Sequence, residues 1–171
     1  NDGTNADDAT DTAKNDDRPS FAINDVTVNE AAGTMTFTVT KTGSTNLASV
    51  VAYSFSDGTA KTTGTGDLLD YTATAGSLTF AAGETSKTIQ VTINNDGVYE
   101  GSEAFTVNLD SATNGTISDA SGTGTIKDDG TGGDDDGNPN DDATDTNKND
   151  DRPSFAINDV TVNEAAGTMT F

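Results

Sequence analysis

The sequence predicts an all-β fold, an antiparallel two-sheet sandwich, and three observations carry that prediction. Apolar and polar residues alternate in short runs, the period of half-buried strands. Turn dipeptides separate the runs: Ala32-Gly33, Thr42-Gly43, Asp57-Gly58, Ala82-Gly83 and Asp96-Gly97. No segment sustains a helical period, so seven or more short strands must bury their apolar faces by packing sheet on sheet.

Residues 1–17 read as an acidic linker of Asp, Asn, Thr and Ala with almost nothing to bury. The sandwich unit spans residues 18–129. It opens with weak strands at Phe21–Ile23 and Val26–Val28. Thr34–Thr40 is the cleanest strand, with Met35, Phe37 and Val39 on one face. Val51, Tyr53 and Phe55 form a second such face, Ile89, Val91 and Ile93 a third, and Phe105, Val107 and Leu109 a fourth. Leu78–Phe80 and Gly122–Lys127 complete the set with weaker signals. The ladder Thr34, Thr36, Thr38, Thr40 on the opposite face of its strand reflects β-propensity, not a surface-binding motif.

Residues 130–151 are a second linker, with eight Asp, one Lys and one apolar residue, Ala143. Residues 152–171 then read as the first strands of a next repeat. Residues 7–37 recur at 141–171 with one difference, Ala13 against Asn147, at an offset of 134 positions. Such near-identity marks one period of a tandem array, an organisation that serves reach, spacing or multivalency. The expected partners are therefore adjacent identical repeats, with strand exchange between copies as a further route.

The chain has 29 acidic and 8 basic side chains, a net charge of −21. That balance argues against nucleic acid and against direct contact with anionic membranes. Cysteine, histidine and tryptophan are absent. Thiolate and imidazole metal sites are thereby excluded, as is Ser/His or Cys/His catalysis. Glu100 and Glu103 imitate a glycosidase pair, but the few aromatics leave no cleft wall. No enzyme is expected. Hard oxygen donors are in excess, and their natural counter-ligand is a divalent cation.

Acidic residues inside the unit fall at strand ends: Glu30 before Ala31-Ala32-Gly33, Asp57 in Asp57-Gly58-Thr59-Ala60, Asp70 in Asp70-Tyr71, Asp96 to Glu100, Glu103, and the closing Asp128-Asp129. Together with Leu78-Thr79-Phe80-Ala81-Ala82-Gly83-Glu84-Thr85, in this order, these motifs resemble the Calx-β domain family over most of residues 19–129. The resemblance implies an immunoglobulin-like sandwich of about 7–9 strands with Ca2+ at one end. Matched residue by residue, it implies the ligands Glu30, Asp57, Asp96, Glu100, Asp128 and Asp129, with Glu103 as an outlying member. Asn95 and Gly130 stand where the richest calcium-binding members carry Asp, which implies one or two ions instead of four.

The second linker holds a further candidate. Asp145, Asn147 and Asn149 alternate like the start of a calcium loop, but the glycine at the sixth position is missing and Ala156 replaces the closing Glu. Asp134, Asp136, Asp141 and Asp151 supply additional oxygens for an irregular site. The expected function is a calcium-binding structural extender repeat of a long secreted or surface-anchored bacterial adhesin, stiffened by Ca2+ at the domain ends. The alternatives are a calcium-sensing regulatory module, as in sodium–calcium exchangers, and a filament subunit that donates residues 152–171 to a neighbour.

Overall fold

The computed structural model describes residues 18–63, 69–95, 101–128 and 155–170. Within them lie ten strands and two short 3-10 turns: β1 (Ser20–Ile23), β2 (Val26–Asn29), a turn at Glu30–Ala32, β3 (Thr34–Thr42), β4 (Ser49–Asp57), β5 (Tyr71–Thr72), β6 (Gly76–Phe80), β7 (Ser86–Ile93), β8 (Ser102–Thr113), β9 (Thr116–Ile117), β10 (Ser121–Lys127), and a turn at Glu164–Ala166. They form two five-stranded sheets, ordered β5-β7-β3-β1-β9 and β2-β10-β8-β4-β6. The all-β sandwich read from the sequence is the observed fold.

Alternation explains the layers. In β3, Met35, Phe37, Val39 and Lys41 are buried while Thr34, Thr36 and Thr40 are exposed. Residues Ile89, Val91 and Ile93 of β7 and Phe105, Val107 and Leu109 of β8 supply matching inner faces. Each such side chain contributes roughly 1.5–3 kcal/mol on burial. The core is knit by aromatic pairs: Tyr71 stacks on Phe105 at 4.0 Å, and Phe37 meets Phe105 edge-on at 5.9 Å. Gly124 makes room for this cluster, since a Cβ there would lie 2.6 Å from the Phe105 ring and 2.8 Å from Met35 Sδ.

Most pairings are antiparallel, but two are parallel: β1 with β9, and β2 with β10. The cause is a change of sheet within one apolar run. β1 pairs with β3 in the first sheet, and β2 pairs with β10 in the second. Asn24 and Asp25 make the crossing, each tied to the sheet it adjoins. Asn24 Oδ1 accepts from Thr38 N at 2.6 Å, and Asp25 Oδ1 accepts from Thr123 N at 2.7 Å.

The registers also orient the chain. Ser20 opposes Thr42, whereas Asn29 lies beside Lys127 and Lys127 opposes Ser102. The chain thus enters at one pole of the sandwich and leaves β10 at the other, here the inlet pole and the exit pole. Residues 155–170 contain one turn and no strand, and Phe155 and Ile157 are 94% and 77% exposed.

Candidate cation site at the exit pole

Four of the acidic side chains singled out by the sequence sit where the second sheet runs out at the exit pole. Asp57 opposes Phe105, a core residue, so the pleat turns it toward the inside of the sandwich. Glu103 lies two residues before Phe105 and shares its face. Glu30 and Asp128 stand two residues beyond Val28 and Ile126, which are paired and face the core. Where the core's apolar face ends, carboxylates succeed it.

Local bonds fix each position. Asn29 caps the Glu30–Ala32 turn, its Oδ1 accepting from Ala31 N at 3.0 Å. Gly33 closes it at φ 66°, a left-handed conformation suited to glycine, and its N–H donates to Glu30 O. Glu30 is 7% exposed. Gly33 O then accepts from Ile93 N at 3.1 Å, which ties the turn to the end of β7. Asp128 is held to Gly101 from both sides: Asp128 N donates to Gly101 O at 3.3 Å, and Gly101 N donates to Asp128 Oδ2 at 3.4 Å.

Asp57 is held most fully. Its Oδ1 accepts from Tyr71 Oη at 2.8 Å, Thr62 Oγ1 at 3.1 Å and Thr62 N at 3.2 Å. The Tyr71 hydroxyl does most to hold the Asp57 carboxyl below the usual carboxylate range, with help from Thr62 and the nearby Lys61 charge. Burial first, and then the Asp57 carboxylate, push the Tyr71 phenol up. The connecting loop is pinned to β8, with Ala60 N donating to Ala104 O at 3.0 Å and Ala104 N donating to Thr59 Oγ1 at 2.8 Å. A Cβ at Gly58 would collide with the Ala104 carbonyl, so that close approach requires glycine.

Asp70 is a member of this pole that the ligand set read from the sequence left out. It is 7% exposed, and its Oδ2 accepts from Lys61 N at 2.6 Å. Asn94 N donates to Asp70 O at 2.9 Å, which joins it to the segment leading toward Asp96. Its signal in the sequence was adjacency to Tyr71, the residue that binds Asp57. Asp96, Glu100 and Asp129 lie outside the described residues, as do Asp134, Asp136, Asp141, Asp145, Asn147, Asn149 and Asp151. Among the described residues no three acidic side chains stand close enough together to hold a metal ion. The donors are nonetheless oxygens only, the kind that suits hard cations.

Fold and pole together define a class: an immunoglobulin-like β-sandwich module with acidic residues at the strand ends where its last strand exits. More particularly, the chain belongs to the Calx-beta domain family, whose pattern matches residues 14–130. Its fold is similar to the crystal structure of the apo-form Calx CBD1 domain, with a TM-score of 0.58 and 26% identity, covering 65% of this chain and 97% of that one. The calcium binding domain CBD12 of CALX1.1 shares the fold at 24% identity and a TM-score of 0.57, over 64% of this chain and 45% of that one. Among curated proteins, the chain is 38% identical over 90 residues to the extracellular matrix organizing protein FRAS1 of Mus musculus. That stretch is 53% of this chain and only 2% of the mouse protein. No helix among the described residues is long and apolar enough to cross a membrane.

Proposed function

We propose that this chain is a calcium-binding extender repeat of a long secreted or surface-anchored bacterial adhesin. The carrying observation is polarity: the chain enters at one pole and leaves at the other, and Glu30, Asp57 and Asp128 stand at or just beyond strand ends on the exit side. Modules joined this way extend end to end, and the exit pole is where one module meets the linker to the next. Glu30, Asp57, Asp96, Glu100, Asp128 and Asp129 would hold Ca2+ there, with Glu103 and Asp70 beside them and the linker oxygens of 130–151 beyond. The bound ion supplies positive charge that converts repulsion into attraction and links ion binding to rigidity. Sites with dissociation constants of about 10⁻⁴–10⁻³ M suit extracellular calcium. The high negative charge keeps neighbouring modules apart when the ion is absent.

An extracellular setting is supported by the likeness to an extracellular matrix organizing protein. A second reading, a calcium-sensing regulatory module, is favoured by the match to nearly the whole of the Calx CBD1 domain. The near-identical following copy favours the extender. Small-angle scattering of several repeats in series tests it. The maximum dimension is expected to grow in millimolar calcium and shrink with chelator, and superimposable curves would contradict the stiffening role.

A further inference from the structure

We infer that β6 is a docking edge for a second copy of this chain, which adds its own β6 antiparallel about a two-fold axis at Leu78. An edge strand presents a row of unpaired backbone N–H and C=O groups, and proteins blunt such rows with short strands or charges. The two sheets have four edges: β5, β9, β2 and β6. β5 and β9 are two residues long, each within two residues of a carboxylate, Asp70 or Asp119. β2 is bracketed by Asp25 and Glu30. β6 has five residues, and residues 71–83 around it contain neither a charge nor a proline. Among the described residues its backbone bonds run to β4 alone.

Side chains at this edge suit a strand partner. Leu78 and Tyr53 are half-buried against the core. Tyr53 reaches across to the edge strand, since a Cβ at Gly76 would lie 2.8 Å from its hydroxyl. On the outer face Ser77 and Thr79 are exposed, opposite Ala52 and Val50. Antiparallel self-pairing sets Leu78 against the partner's Leu78, and Ser77 against the partner's Thr79. One face of the joint is then apolar, the other carries hydroxyls, and no charge enters it.

Charge placement points to a copy of the chain as the occupant. Leu78 opposes Val51, which stands two residues after Ser49 at the inlet end and six before Asp57. The axis therefore lies near the inlet pole. In the pair the two exit poles point apart, with the two Asp57 residues about 40 Å from each other at ~3.4 Å per residue. Exposed charges at that separation are screened at physiological salt, where the Debye length is about 8 Å. A five-residue strand pair is smaller than the interface of a stable dimer, so one contact is weak. The edge recurs with the 134-residue period, and contacts between two arrays then add by avidity. The edge itself does not depend on the calcium reading.

Sedimentation equilibrium of the 171-residue chain, taken to millimolar concentration at physiological salt, tests this. The parent should show a reversible monomer–dimer equilibrium. Ser77→Glu with Thr79→Glu sets like charges opposite each other across the axis and should weaken dimerisation at least tenfold. Thr36→Glu with Thr88→Glu adds the same charge at exposed positions of the other sheet and should leave it unchanged. A parent that stays monomeric, or an edge variant weakened no more than the control, would overturn the inference. Amide hydrogen exchange of the parent locates the contact and stands even if the edge variant is destabilised. Protection should rise with concentration at Gly76–Phe80 and stay level at Val26–Asn29. No rise at Gly76–Phe80 would overturn it as well.

Discussion

Residues 21–36 and 155–170 are the same sixteen amino acids in two settings, and they keep different parts of their structure. In the first, Phe21 and Met35 are fully buried and the segment pairs with β3, β7, β9 and β10. In the second there is no strand, and Met169 is 45% exposed. The capped turn, however, survives in both. Asn29 accepts from Ala31 N at 3.0 Å, and Asn163 accepts from Ala165 N at 2.7 Å. Gly33 and Gly167 sit at φ 66° and 73°. The turn is encoded within five residues by a side-chain cap and a glycine. The strand is a property of its neighbours, because its hydrogen bonds and its buried face both need partners.

The comparison is broken most forcefully at methionine. Met35→Ala should destabilise the sandwich by about 2–5 kcal/mol, whereas Met169→Ala should leave the urea midpoint unchanged. Similar midpoints for the two would mean that the second segment is seated after all. A smaller effect sharpens the local half of the comparison. Asn29→Ala should lower stability by about 1 kcal/mol. Asn163→Ala should not, although it should shift the Ala165 amide resonance as the turn opens.

The smallest effect concerns pH, and here only the packed region responds. The folded Asp57 value is depressed, so its contribution is complete above about pH 4 and lost as pH falls through the lowered folded value. Tyr71 is raised, so its contribution is complete below about pH 10 and lost as pH climbs further. Tyr71→Phe should flatten both limbs of a stability-versus-pH curve. Unchanged limbs would remove the Tyr71–Asp57 bond from the account.

Legibility followed the same division between local and non-local causes. The faces of β3, β7 and β8 were readable because alternation along one strand reports one buried side. The two-residue strands β5 and β9 were not readable, since two residues carry no period. The parallel pairings were hidden as well. Residues 21–28 read as two weak strands, and only the bonds of Asn24 and Asp25 to opposite sheets reveal the crossing. At the pole, carboxylates at strand ends were visible in the sequence. That Asp57 continues the inward face of Phe105 depends on register, which the sequence does not state, whereas Glu103 shares that face by alternation along β8. Asp70 escaped the ligand set because the bonds that hold it, from Lys61 N and Asn94 N, are made by the fold and leave no mark in the sequence around it.

The claim that carboxylates at the exit pole repel one another until calcium joins them is tested most directly by thermal unfolding. Asp57→Asn combined with Asp128→Asn should be compared with the parent in millimolar Ca2+ and in chelator. The parent should melt higher with calcium, the double variant should lose that increment, and the two should melt closely together in chelator. Equal melting temperatures in calcium would contradict the account.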